Sequence, residues 1–285
     1  MYHTTNDTTQ TVGTATATVI CDSRSPAGKR ITTFELVYPR FIHSELMTHR
    51  MFSRNAASSR ATPTRVLLKE VEENPVMPAV WRKNRPGMSG GEEFDEHYSA
   101  YFRGLWDKAA QRARIAAASM AHMGLAKETV NRLLEPFLRI RTLVTATEWD
   151  NFFLLRRDKA HVQPEMYELA TAMWDALMKS KPVKRHYHLP YMEEDLPGKA
   201  LSTPSREYTL ASAARCARVS YLTHEGAETT VLKDQKLAGQ LLRNRHLSPF
   251  EHIAIALNDP DEARFNLRGW QSFRYEIERG GELHA

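Results

Sequence analysis

Thr48-His49-Arg50-Met51-Phe52-Ser53-Arg54-Asn55-Ala56-Ala57-Ser58-Ser59-Arg60 carries three arginines, one histidine, one asparagine and three serines in thirteen residues. Ahead of it Phe34, Leu36 and Tyr38 alternate as in a strand, Pro39 breaks the run, and Phe41, Ile42, Leu46 and Met47 follow at helical spacing. The reading is a strand over 30–38, a helix over 41–52, and a cationic loop where that helix opens. Guanidinium forks, hydroxyls and free backbone N–H groups are the donors that phosphate oxygens need. A solvated surface loop has the same composition, so this segment alone leaves both readings open.

Outward from the loop, residues 15–22 form a second β-branched run, joined to the 30–38 strand through Ser25-Pro26-Ala27-Gly28. Pro75, Pro78, Pro86, Gly87, Gly90 and Gly91 mark a long loop, and Tyr98, Phe102, Leu105, Trp106 and Ile115 give helical periodicity over 93–123. Helices are expected over 126–140, 146–157, 163–180 and 229–244, and a strand over 252–257. The proline-rich stretch 181–204 reads as a connector, and the first residues as a polar tail. The predicted fold class is α/β of the α+β type, with a mixed or antiparallel sheet and segregated helices in one domain.

The chain has 285 residues, 42% hydrophobic content and a formal net charge of +5, enough for one sizeable core. No apolar run approaches the roughly 20 residues of a membrane helix, and the start lacks the basic and apolar regions of a signal peptide, so a cytoplasmic chain without membrane association is expected. Cys21 and Cys216 are too few for a disulfide framework and read as reduced, buried thiols. His186 and His188 could share a metal in principle. As two histidines in a proline-bounded linker they read as surface residues, and no metal is expected. The basic balance admits a nucleic-acid binder, yet Glu70–Glu73 and Glu92–Glu96 interleave acids with the arginines. A cleft for small phosphates explains that balance better. Dinucleotide-binding, P-loop and zincin motifs are missing.

The spacing His49-Arg50, seven residues, Ser58, then Arg60 resembles the Arg-His-Arg-x7-Ser signature of the flavin-dependent thymidylate synthases, with Thr48 at the leading arginine. Three further segments resemble the same family. Asn151-Phe152-Phe153-Leu154-Leu155-Arg156 with His161-Val162-Gln163-Pro164-Glu165 is similar to Asn-Phe-x-x-x-Arg…His-Ala-Gln-x-Glu, with one extra residue between the halves. Val130-Asn131-Arg132-Leu133-Leu134-Glu135-Pro136 is similar to a helix bearing a nucleotide-binding arginine. His246-Leu247-Ser248-Pro249-Phe250-Glu251-His252, with Ala214–Ser220 ahead of it, is similar to pieces that usually stand near the family's N-terminus. Their place here implies a circular permutation: 15–180 the main part, 181–204 the connector, 205–285 the displaced part.

The resemblance implies a homotetrameric flavoprotein whose sites use more than one chain. It implies transfer of a one-carbon unit from methylenetetrahydrofolate to C5 of a pyrimidine deoxynucleotide, with FAD as cofactor and NADPH as reductant. Deoxyuridylate to thymidylate ranks first, and a deoxyuridylate or deoxycytidylate hydroxymethylase is the alternative. By their matches, Thr48, His49, Arg50, Thr147, Asn151, His161, His246 and Ser248 are flavin positions. Glu45, Ala56, Ser58, Ser59, Arg60 and Arg132 are substrate positions. Arg156 is the cation that stabilises negative charge developing on the ring, and so the catalytic residue. Four positions depart from the family: Thr48, Ala56 and Glu45 replace arginine, glutamate and glutamine, and Thr147 stands where an arginine is usual. Arg54, Arg139 or Arg141, or the arginines of 265–274, are the candidates to replace the lost cations. The rival class is a basic nucleotide- or nucleic-acid-binding protein without catalysis.

Overall fold

The computed structural model describes residues 8–192, 206–219 and 230–280. In chain order the first elements are β1 (Thr9–Val12), β2 (Ala15–Arg24), β3 (Arg30–Pro39), α1 (His43–Leu46), β4 (Ser53–Ala56), α2 (Thr64–Glu73), α3 (Glu96–His122) and α4 (Lys127–Val130). Then come β5 (Arg139–Ala146), α5 (Asp150–Arg156), α6 (Pro164–Lys179), β6 (Val183–Lys184) and β7 (Tyr187–His188). The remainder holds α7 (Arg206–Arg218), α8 (Val231–Arg243), β8 (Ala254–Ala256), β9 (Ala263–Arg264), β10 (Leu267–Arg268), β11 (Trp270–Ser272) and α9 (Phe273–Glu278). The main sheet runs β1-β2-β3-β5-β4, antiparallel throughout, and β6 adds to β2 in parallel. This is the mixed architecture with segregated helices that the sequence predicts.

The alternation of side chains across the strands splits the sheet into two different faces. Phe34, Leu36 and Tyr38 of β3, with Ala15, Ala17 and Val19 of β2 and Val144 of β5, face α6. That helix starts with Pro164 at its first position and turns Met166, Leu169, Ala170, Met173 and Leu177 inward, the i, i+3, i+4, i+7 stripe of a helix packed on a sheet. Burying each such Leu or Met contributes about 1.5–3 kcal/mol. At the sheet edge, Gly13 takes φ +54° in the β1–β2 turn, and a Cβ there would run into the Glu168 carboxylate. Glu168 accepts from both Thr14 N and Thr14 Oγ1 at 2.8 Å, tying the hairpin to α6.

The opposite face is partly polar. Ile20 and Leu143 pack with Tyr191, Cys216 and Val219, and Ile31 packs with Ala254, Leu267 and Trp270. Between them Thr33 Oγ1 and Thr145 Oγ1 are 2.6 Å apart; Thr33 bonds His188 Nε2 at 2.7 Å, and Thr145 bonds His252 Nδ1 at 2.8 Å. His188 Nδ1 completes the chain with Ser23 Oγ at 2.9 Å. Within the carboxy-terminal layer, Arg215 and Arg218 clamp Asp234 at 2.9 and 2.8 Å, joining α7 to α8. Both cysteines are buried and neither is in a disulfide among the described residues, and burial pushes the Cys216 thiol up.

Several sequence expectations need correction. The 41–52 helix is a 3-10 turn at 40–42 plus the single turn α1, and β4 follows. Arg54 Nη1 donates to Met47 O at 2.6 Å and His49 O at 3.3 Å, so those carbonyls are held by a side chain instead of by further helix. The 126–140 helix is α4 and a 3-10 segment that includes Pro136, after which β5 begins; α2 and β1 have no counterpart in the sequence expectation. The 146–157 helix begins only at Asp150. His188 is fully buried and not a surface residue, because two strand hydroxyls supply its partners. The described part of the connector contains β6, β7 and the buried Leu189, Tyr191 and Met192; its remainder and Ser220 lie outside the described residues. Among the described residues no helix is long and apolar enough to cross a membrane, and no three His, Cys, Asp or Glu side chains cluster as for a metal ion.

Burial lowers the pKa of His188 well below 6.5 and that of His252 from 6.5 to about 3. From pH about 6.5 downward the unfolded chain therefore binds more protons than the folded one, and stability falls as pH falls through that window. A thermal denaturation series from about pH 7 to about pH 4 should show a falling midpoint. His252→Asn should be less stable at pH 7 and show a shallower slope; an unchanged slope would remove His252 from the acid sensitivity.

Candidate active site

Two groups of side chains assemble along the loop after β3. The first centres on His49. Its ring stacks on Phe52 at 5.7 Å and meets the edge of Phe152 at 4.9 Å, so α5 packs directly on the motif loop. Burial, with Arg156 and Arg54 nearby, lowers the His49 pKa to about 4, which keeps the ring neutral near pH 7. Its Nε2 lone pair accepts the Nε–H of Arg156 at 3.0 Å. Arg156 is held at Nε and makes no hydrogen bond through its terminal nitrogens among the described residues. Glu45 lies close enough to feel both Arg156 and Glu165; burial raises its pKa most, against the lowering by Arg156. Glu165 is buried, accepts from Ala79 N at 2.7 Å through Oε1, and leaves Oε2 without a partner among the described residues.

The second group centres on Glu135. Its Oε1 accepts from Ser59 Oγ at 2.6 Å and Arg132 Nη1 at 2.7 Å and forms an ion pair with Arg40 Nη2 at 3.0 Å. Beside it, burial and the charges of Arg40 and Arg54 lower the His43 pKa to about 4, while His43 Nδ1 bonds the Tyr38 hydroxyl at 2.8 Å. Asn131, fully buried, donates to Ser59 O at 2.7 Å and Thr62 O at 3.0 Å and accepts from Thr64 Oγ1 at 2.8 Å. The serine loop is therefore pinned from below. Arg54 stands between the groups, affecting both His43 and His49.

The other expected residues are distributed around these groups. Thr48 is exposed and caps α1 by donating to Glu45 O at 2.7 Å. Arg50, Asn151, His246, Ser248 and Arg60 are exposed, Ser58 and Ala56 half-buried and Ser59 buried. His161 is exposed and bonds Asp158 at 2.7 Å. Thr147 is buried and accepts the Arg268 backbone N–H at 3.0 Å, while the Arg268 guanidinium bonds Asp261 O at 3.0 Å and pairs with Glu148 at 3.9 Å. The 3-10 turn Ser248–Glu251 packs against β4, and Asn266 Nδ2 donates to Met51 O and Ser53 Oγ, both at 3.1 Å. Of the candidate replacement cations, Arg54 is spent on carbonyls, Arg139 bonds Asn74 O and Arg141 pairs with Glu35. Arg274 is held by Glu251 and Glu278. Sequence reasoning misses Arg40, His43, Asn131, Glu135 and Glu165 as members of the site. Asn131 and Glu135 flank Arg132 within one motif segment, but their roles arise only from the fold.

The family model for thymidylate synthase complementing proteins matches residues 13–183, from the β1–β2 turn through α6 to the start of β6. The chain belongs to this family. Two solved structures of the Streptomyces cacaoi UMP/dUMP methylase PolB align with it. The 5-bromo-UMP complex has 17% identity, covering 60% of this chain and 91% of that one, with a TM-score of 0.47. The 5-bromo-dUMP complex has 22% identity, covering 53% and 67%, with a TM-score of 0.40. No curated protein matches. The segment from α7 onward lies outside the family match, although it contacts the family's motif loop.

Asn131→Ala leaves the buried Ser59 carbonyl, the half-buried Thr62 carbonyl and the Thr64 hydroxyl without their partner, which costs roughly 1–3 kcal/mol by the usual penalty for unmet buried polar groups. The expected result is a lower urea midpoint and faster proteolysis within 57–62. Unchanged proteolysis there would show that the serine loop is held by other contacts.

Proposed function

We propose that this family member is a flavin-dependent enzyme that transfers a one-carbon unit from methylenetetrahydrofolate to C5 of a pyrimidine deoxynucleotide, converting deoxyuridylate to thymidylate. The observation that carries the reading is the 3.0 Å bond between His49 and Arg156, which joins two motif segments 107 residues apart. C5 attacks only when negative charge develops on the ring, and a cation placed beforehand stabilises that charge without reorganising at the moment of reaction. A neutral His49 suits this role, because it fixes Arg156 through Nε and leaves the charge and terminal N–H groups of the guanidinium for a ligand. A protonated His49 would repel Arg156 and could no longer accept its hydrogen bond.

Bound FAD would supply the hydride, NADPH being its source. The residues fit such a group: Arg50, Asn151, His246 and Ser248 present exposed donors on segments that meet at the motif loop, and Glu165 Oε2 is a buried acceptor without a partner among the described residues. Contacts of Asn266 with the motif loop and of Arg268 with Thr147 support the circular-permutation reading, in which 205–285 completes the site. Tyr98, Tyr101, Leu105 and Ile115 lie exposed on one side of α3 together with Lys108 and Arg112, a mixed apolar and cationic face that suits the subunit contacts of a homotetramer. Glu45 is electrostatically coupled to Arg156, which favours deoxyuridylate. Deoxycytidylate is the second reading, since an ionised Glu45 that reached the base would accept from the cytosine amine.

The purified protein incubated with FAD should show flavin absorbance near 450 nm and, given deoxyuridylate, methylenetetrahydrofolate and NADPH, form thymidylate by mass spectrometry. Protein without flavin uptake would refute the flavin assignment. Arg156→Ala should stay folded and flavin-loaded while turnover falls about 100-fold, the scale for one lost charge stabiliser. Arg132→Ala should instead weaken nucleotide binding with a smaller effect on turnover at saturation. A chain ended at residue 192 should fail to take up FAD; normal uptake would show that 205–285 is not part of the site.

A further inference from the structure

Ser59 and Arg132 direct hydrogen bonds at a single atom, Glu135 Oε1, at 2.6 and 2.7 Å, and Arg40 Nη2 is ion-paired with the same oxygen at 3.0 Å. A carboxylate oxygen has about two lone-pair directions, and the two hydrogen bonds take both, which leaves Arg40 paired with that oxygen by charge alone. The charges do not balance either: two guanidinium groups face one carboxylate, and the neighbouring His43 is uncharged near pH 7. A phosphate monoester brings three acceptor oxygens and a charge of about −1.5 to −2, which suits this donor set better than one carboxylate does. Arg132 and Ser59 are also the residues that the motifs place at the nucleotide. The Glu135 side chain is about a quarter exposed (23%), and it projects from the last turn before Pro136, so it has solvent to swing into.

We propose that Glu135 is an internal anion that holds the substrate's phosphate seat, and that the nucleotide must displace its carboxylate from Arg40, Ser59 and Arg132 to bind. This rests on the pyrimidine-nucleotide reading of the site and extends it in two ways. It adds Arg40, which no motif assigned, to the phosphate seat, and it makes Glu135 a competitor that sets how tightly a phosphate is taken. In the empty protein the carboxylate offsets part of the charge of the two guanidinium groups and keeps them oriented. Ligands with a single negative charge gain little over the resident carboxylate, whereas a phosphate monoester gains both charge and hydrogen bonds.

The test is calorimetric titration of wild type, Glu135→Gln and Glu135→Ala with inorganic phosphate, deoxyuridylate and deoxyuridine. Both variants should bind phosphate and deoxyuridylate at least tenfold more tightly than wild type, with deoxyuridine affinity changed less than threefold. Adding Arg40→Gln to Glu135→Gln should abolish the gain. Equal or weaker phosphate binding in the folded variants would overturn the proposal, as would a gain for deoxyuridine as large as that for deoxyuridylate. The inorganic phosphate arm is independent of the base. Tighter phosphate binding without binding of either pyrimidine would uphold the internal anion and refute the pyrimidine reading.

Discussion

The central strands of this protein have no free face, and the rest of the structure follows from how their two faces are covered. β3 lies between β2 and β5, buried by α6 on one side and by the carboxy-terminal layer on the other. The α6 side is closed by apolar packing, which is strong but non-directional. The other side places Thr33 and Thr145 against His188 and His252, and hydrogen bonds of fixed direction leave few ways for that layer to dock. With the layer in place, Asn266 and Arg268 meet the motif loop and Thr147. One register of β3 therefore aligns both the core and the site.

The candidate site uses the same low-polarity surroundings for a different end. His43 and His49 are surrounded by arginines and partly buried, and both influences keep them uncharged. Each then works as a hydrogen-bonding post: His43 with Tyr38, His49 with Arg156. Positive charge is left to groups that keep their proton at any ordinary pH. A cluster rich in cations avoids self-repulsion by neutralising its histidines, while Glu135 and Glu45 offset part of the remaining charge.

The motif segments are legible in the sequence, and the fold brings parts of them together: His49 bonds Arg156, and Ser59 and Arg132 meet at Glu135. The long strands and α3, α6 and α8 are legible from periodicity. The loop around His49 is not, since Phe41, Ile42, Leu46 and Met47 have helical spacing while Arg54 takes over the carbonyls that a helix would use. β5 is hidden for the opposite reason: Arg139 and Arg141 alternate with apolar residues beside a 3-10 segment, and only pairing with β3 and β4 makes the run a strand. His188 looks like a linker residue because nothing local announces Ser23 and Thr33 as its partners. Glu135 is likewise silent, its meaning lying in Ser59 and Arg40, which the fold brings to it from elsewhere in the chain.

The chain of hydrogen bonds from Ser23 to His252 has one polarity. His252 Nε2 is buried without a partner among the described residues, and a bare lone pair is less costly there than a stranded N–H. The proton then sits on Nδ1 and is donated to Thr145. Thr145 donates in turn to Thr33, Thr33 to His188 Nε2, and the Nδ1 proton of His188 to Ser23. The two imidazoles, on separate segments, are locked into the same tautomer by a pair of threonine hydroxyls. Reversing one would require every hydroxyl rotor between them to turn over together.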